Sequence, residues 1–135
     1  MTTYIEILKN RFSKDSLMAL ATVDKNGRPW VRTIDAIFID DSFYTITYAL
    51  SHKVQHVNNN PLVAISGEWF SGHGIGENLG HIKLPQNEDI ANKLRKAFAS
   101  WYDNGHTNDD DPNTIILRIK LTDGILFSEG NRYDF

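Results

Sequence analysis

The chain has no cysteine, which excludes disulfides, thiol nucleophiles and thiolate-held metals together. That absence fits a reducing compartment, and a cytoplasmic location is expected. No apolar run approaches the ~20 residues of a membrane helix, and the opening stretch MTTYIEILKNRF mixes charged and apolar residues unlike a secretion signal. No membrane partner is expected. Nor is there an excess of basic residues: 14 Lys and Arg stand against 17 Asp and Glu, interspersed, for a net charge of −3. A nucleic-acid binder needs a basic face, so nucleic acid is not an expected partner. Repeats, linkers and low-complexity segments are missing, and residues 1–135 read as a single domain, long enough to bury a core without staples.

Several motifs are missing as well. His52 and His56 stand at i, i+4, but no HExxH pattern or companion carboxylate accompanies them, so no metal site is expected. Asp109-Asp110-Asp111 lacks the glycine and terminal glutamate of a calcium loop and reads as a solvated loop. Gly72-His73-Gly74-Ile75-Gly76 has the wrong spacing for a dinucleotide fingerprint. There is no GxSxG elbow and no P-loop.

What is present is a series of short strands. Thr3 to Glu6 fits a capping box and predicts a helix over about 3–13, with Ile5, Ile7, Leu8 and Phe12 roughly on one face. Residues 17–24, 30–39 and 43–49 read as strands, the first two joined by a Lys25-Asn26-Gly27 hairpin signal. A short helix over 51–59 ends at the asparagines before Pro61. A strand at 62–69 follows, then a glycine-rich segment at 70–80 that reads as a loop or irregular strand entry leading into 81–84. Ile90, Leu94, Ala97, Phe98 and Trp101 predict a long helix over 87–102. A polar loop spans 103–113, and the chain ends as a strand pair, 114–121 and 125–127, around a Thr122-Asp123-Gly124 turn. Consecutive strands with tight turns imply an antiparallel sheet, closed as a barrel, in an α+β layout.

The stretch TYALSHKVQH (47–56) carries the chemistry. Ser51 has the position of a helix N-cap, followed by His52 and Lys53. Helix starts favour negative charge through their free N–H groups, so a fixed cation there points to an awaited anion. Serine is also a common cap and lysine a common surface residue, so the trio has a purely structural reading too. Arg32 adds weight: a guanidinium inside an apolar strand, on the face of Trp30, Ile34 and Ala36, needs a partner.

Residues 18–24 (MALATVD), 27–32 (GRPWVR), 43–53 and Asn60-Pro61, in this order and spacing, resemble the pyridoxamine 5'-phosphate oxidase-like family of FMN-binding split barrels. The resemblance spans about 15–130, and the stretch from His81 through WYDNGH to the last strand is similar to a branch of small members. It implies an α+β, mainly β fold: a six- or seven-stranded antiparallel split β-barrel with flanking helices. It implies FMN as cofactor, its phosphate held by Arg32, Thr47, Ser51, His52 and Lys53, with the backbone of Thr33, Ile34 and Asp35 flanking the flavin ring. It further implies a homodimer with the flavin at the interface, to which Glu77 and Asn78 reach from the partner. Trp69-Phe70 and Trp101-Tyr102 are the aromatic candidates for that interface. The sequence departs from the family in placing His52 where better-known members have Arg and Ile37 where the oxidases have Lys. It also lacks the Arg- and Ser-rich segment and the C-terminal Arg-His motif that bind the oxidase substrate. The expected function is therefore an FMN-dependent oxidoreductase acting on a small molecule, not the oxidase itself. A non-catalytic module holding FMN or haem, and a cofactor-free dimer, are the alternatives. Asp35 and His81 are the only acid–base candidates.

Overall fold

A computed structural model describes residues 3–105 and 107–135. Seven strands, β1 (Ser16–Val23), β2 (Pro29–Ile39), β3 (Ser42–Tyr48), β4 (Leu62–Gly67), β5 (Phe70–His81), β6 (Thr114–Ser128) and β7 (Asn131–Asp134), form one antiparallel sheet in the order β3-β2-β1-β4-β5-β6-β7, and β3 also pairs with β6. That last pairing closes the first six strands into a barrel and leaves β7 on the outside of β6. The expected α+β, mainly β split barrel is what the chain forms.

Helix α1, Tyr4–Phe12, starts with the full capping box: the Thr3 side chain accepts from the Glu6 backbone N–H, and the Glu6 side chain accepts from that of Thr3. Its Ile7, Leu8 and Phe12 plug one end of the barrel, while Ile5 stays half-buried at the margin. Strand β1, Ser16–Val23, turns Met18, Leu20 and Thr22 inward at period two. Gly27, at φ 79°, closes the hairpin to β2, Pro29–Ile39. Strand β3, Ser42–Tyr48, runs into helix α2, His52–Asn59, whose buried Val54 and Val57 lie over the barrel. The barrel core consists of these inward residues with Phe38, Phe43, Ile65, Phe70, Leu117 and Ile119.

Two segments depart from the sequence reading. The glycine-rich segment is a regular strand, β5, Phe70–His81, paired with β4, Leu62–Gly67, and with β6. Its glycines at 72, 74 and 76 all face inward, because a Cβ at each would strike a neighbour: at Gly74 it would lie 2.7 Å from Ile119 Cγ2 and 2.8 Å from the Lys120 carbonyl oxygen. Glycine here permits close packing and does not mark a turn. Likewise Thr122-Asp123-Gly124 makes no turn: β6 runs unbroken over Thr114–Ser128, and the register shift opposite His73 and Gly74 absorbs the extra residue as a bulge. The final strand, β7, Asn131–Asp134, was not expected.

The predicted long helix is divided. After a 3-10 turn at Pro85–Asn87, helix α3 covers Glu88–Ala97 and then loosens into hydrogen-bonded turns. Ala91, Leu94, Phe98 and Tyr102 nevertheless keep one buried face, packed outside the barrel on Ile37, Tyr44 and Ile116. Phe70 and Tyr102 are thus buried within the protomer and unavailable to an interface, whereas Trp69 is 70% exposed. His106, which ends the WYDNGH stretch, lies outside the described residues.

Candidate functional site

The barrel is split between β2 and β3. These strands pair only at Ile37–Tyr44, Phe38–Phe43 and Ile39–Ser42. Beyond that point β2 stays with β1 back to Pro29, and β3 stays with β6 out to Tyr48, so the two diverge. The edge of β2 at Arg32–Ala36 then faces a gap, with backbone N–H and C=O groups that have no strand partner on that side. A cavity of about 520 Å³ occupies the gap, within the ~300–1,000 Å³ of small-molecule sites. Arg32, Thr33, Ile34 and Asp35 line it from β2, and Thr45, Ile46 and Thr47 from β3. Lys53 reaches it from α2, with Trp101 and Thr107 on the outer side. A larger cavity of about 580 Å³ lies between α1 and α3. Its lysines, Lys9, Lys14, Lys93 and Lys96, are all exposed, and it holds none of the residues expected to bind the cofactor.

Two cations converge on the split. Lys53 Nζ donates to Thr47 Oγ1 at 2.8 Å. Burial, and then the nearby Arg32 guanidinium, hold the Lys53 pKa below the ordinary lysine range. Burial also lowers that of Arg32, which stays charged regardless. Among the described residues neither forms an ion pair. Like charges brought together in a half-buried site repel, and an anion between them would remove that cost. Beside them Ser51 is the N-cap of α2 as expected, with extended backbone (φ −66°, ψ 155°), but its side chain makes no capping hydrogen bond. Its Oγ is buried without a partner, although buried hydroxyls are normally satisfied.

Arg32 is held by residues that the sequence reading missed. Its Nη1 donates to the Leu20 carbonyl at 3.2 Å and to Thr22 Oγ1 at 2.7 Å, and Thr22 Oγ1 lies 2.8 Å from His56 Nδ1. Arginine only donates, so the Thr22 hydroxyl accepts from it, and the same oxygen is hydrogen-bonded to His56 Nδ1. The sequence signal for Thr22 was a polar residue at an inward position of β1, fully buried in the structure. Nothing local marked His56 as its partner.

Of the sequence-predicted residues, Arg32, Thr33, Ile34, Asp35, Thr47 and Lys53 share the cavity, with Ser51 at the start of α2. His52 is exposed and does not line it; its ring lies 6.2 Å from that of His56. Glu77 and Asn78, exposed on β5, are outside it within the protomer: Glu77 lies 3.9 Å from Arg118, and Asn78 Oδ1 accepts from the Gly80 N–H. His81 is committed elsewhere. Its Nδ1 accepts from the Lys83 N–H, and Nε2 donates to the Asp111 carbonyl at 3.0 Å.

The sequence model of the family described as pyridoxamine 5'-phosphate oxidase matches residues 6–127. General stress protein 26 of Bacillus subtilis (strain 168) is 30% identical over 119 residues, which is 84% of this chain and 81% of that protein. Among solved structures, a FAD-binding protein from Mesorhizobium loti superposes with a TM-score of 0.69 at 16% identity, over 91% of this chain and 92% of the other. A haem-binding protein from Mycobacterium smegmatis superposes with a TM-score of 0.76 at 11% identity, over all of this chain and 58% of the other. At those identities the two structures establish shared fold alone. The family match runs nearly end to end, and the Bacillus relative is similar over most of both chains, so this chain belongs to the pyridoxamine 5'-phosphate oxidase-like family.

Proposed function

We propose that the chain binds FMN in the split between β2 and β3 and serves as a flavin-dependent oxidoreductase for a small molecule. The observation that carries this reading is the Arg32–Lys53 pair, two cations without a counter-charge beside an unpartnered Ser51 Oγ. A phosphate answers all three: the guanidinium offers a planar fork, the ammonium a point charge, and the serine and the free N–H groups at the start of α2 offer hydrogen bonds. The unpaired edge of β2 at Thr33–Asp35 suits the polar rim of a flavin ring. FMN, when bound, supplies the electron-transfer chemistry; the protein's part is to orient the ring, exclude water and manage protons around it. Ile37, buried where the oxidases carry lysine, supports a substrate other than pyridoxamine phosphate. A homodimer that covers the cavity completes this reading.

The test is an absorption spectrum of the purified protein, followed by FMN and riboflavin titrations. Flavin bands are expected, and a Soret band would favour a haem-binding module instead. A charge-assisted hydrogen bond is worth about 1.5–3 kcal/mol, so Lys53→Ala should weaken FMN roughly 10- to 150-fold. Riboflavin, lacking the phosphate, should be nearly indifferent to that change. Equal FMN affinity in the wild type and the Arg32→Ala, Lys53→Ala double variant rejects the site.

A further inference from the structure

The cavity has an acidic end as well as a basic one. Asp35 lines it from β2. Asp15 lies just before β1, where the pairing of Leu17 with Asp35 and Ser16 with Ala36 brings it to the face of Asp35, close enough for the two carboxyls to interact. The indole Nε1 of Trp101, itself part of the cavity wall, donates to Asp15 Oδ2 at 2.8 Å. The other oxygen, Asp15 Oδ1, is buried and receives no hydrogen bond from any donor among the described residues. Two carboxylates are acceptors only, so a hydrogen bond between them requires one proton. Asp35 is the member of the pair that faces the cavity, and its carboxyl is held above the ordinary aspartate range. The remaining charges around the cavity are Arg32, on the same strand, and Lys53, from α2. The lining from β3, with Trp101 and Thr107, is uncharged.

We propose that the Asp15–Asp35 pair is the proton-exchange site of this cavity, with Asp35 passing a proton to and from a nitrogen or oxygen of the bound molecule and Asp15 as its positioning residue. In the forward direction the Asp35 O–H bond breaks, the acceptor atom gains the proton, and both carboxylates are left ionised. Water at the cavity mouth then returns a proton to the pair. The chemistry suits the task. Desolvation first, then the hydrogen bond and charge of Asp15, raise Asp35 from 3.8 to about 6, and a group that titrates near the working pH can both give and take a proton. Paired carboxyls separate their titrations for the same reason in other acid–base sites. The inference rests on the flavin reading of the cavity, but the pair itself can be examined without cofactor.

The experiment has two arms. In the apo-protein, carboxyl-carbon NMR should find one aspartate with a midpoint near that value, absent in Asp35→Asn and returned toward the ordinary aspartate range in Asp15→Asn. If no aspartate titrates above the ordinary range, the proposal is overturned. In the FMN-loaded protein, the plot of flavin midpoint potential against pH should bend near the same pH. The bend should vanish in Asp35→Asn and move to lower pH in Asp15→Asn, a pattern that a merely structural role would not give. Persistence of the bend in Asp35→Asn overturns the proton-exchange role even if the pair titrates as expected. Failure of the protein to take up FMN, with the NMR result intact, would sink the flavin reading and leave the proton-sharing pair standing.

Discussion

Arg32 does its work only because Thr22 aims it. The Thr22 hydroxyl accepts from the guanidinium and is hydrogen-bonded to His56, so one buried side chain ties the cavity-lining cation to β1 and to α2 at once. Thr22→Val keeps the shape, removes both hydrogen bonds and leaves Arg32 with the Leu20 carbonyl alone. A hydrogen bond to a charged group contributes about 1.5–3 kcal/mol, and Thr22 acts on the phosphate only through Arg32, so FMN should bind more weakly to Thr22→Val by at most roughly 10- to 150-fold, with riboflavin unaffected. A fluorescence titration that finds FMN binding unchanged would show that Arg32 needs no such support. Arg32 and Lys53 were legible in the sequence because a charge inside an apolar strand, or a cation at a helix start, breaks a local rule. The pairings of Thr22 with His56 and of Asp15 with Asp35 were not. Each member is an ordinary residue by itself, and the pairs form only when segments 34 and 20 positions apart are folded together.

Local pattern located four of the seven strands near their observed bounds, misread β5 and β6 in the same way and missed β7. Glycine was taken as punctuation in β5, and Thr-Asp-Gly as a turn in β6. The signal that tells them apart is periodicity: in Gly72-His73-Gly74-Ile75-Gly76 the small residues alternate with larger ones, which is an inward face with no room for a side chain. β5 lies against β6 over most of its length, and this contact is what keeps the barrel closed opposite the split. Gly74→Ala therefore tests the element directly. Its new methyl would meet both Ile119 and the Lys120 carbonyl, neither of which can retreat without moving β6. Overpacking of this kind costs about 1–3 kcal/mol. The urea midpoint should fall accordingly, while the variant protein that remains folded keeps its FMN affinity, because Gly74 lines none of the site. A midpoint equal to that of the wild type would mean that β5 and β6 have slack that these distances deny.

At the scale of the whole molecule, the outer surface of the sheet carries an apolar band that one chain leaves uncovered. Residues directly opposite in antiparallel strands share a face, so the register places Val31 beside Ala21, Ala21 beside Ala64, and Leu62 beside Ile75. Val31 is 70% exposed, Leu62 61% and Ile75 37%, a continuous apolar strip across β2, β1, β4 and β5. The same face includes Thr33, opposite Ala19, and Thr33 is already a wall of the cavity. A second copy seated on this strip would thus close the cavity as it buries the apolar surface, and contiguous patches of this sort commonly mark interfaces. The expectation is a homodimer, with a sedimentation mass at micromolar concentration twice the 15.4 kDa of the chain. Leu62→Glu puts a charge into the strip without touching the cavity lining or the core. It should shift the protein to monomer and, because the cavity loses its cover, weaken FMN as well. A wild type that sediments as a monomer would remove the dimer. A Leu62→Glu variant that becomes monomeric yet binds FMN as tightly as before would show that a single chain's split, with Arg32 and Lys53 alone, is the complete cofactor site.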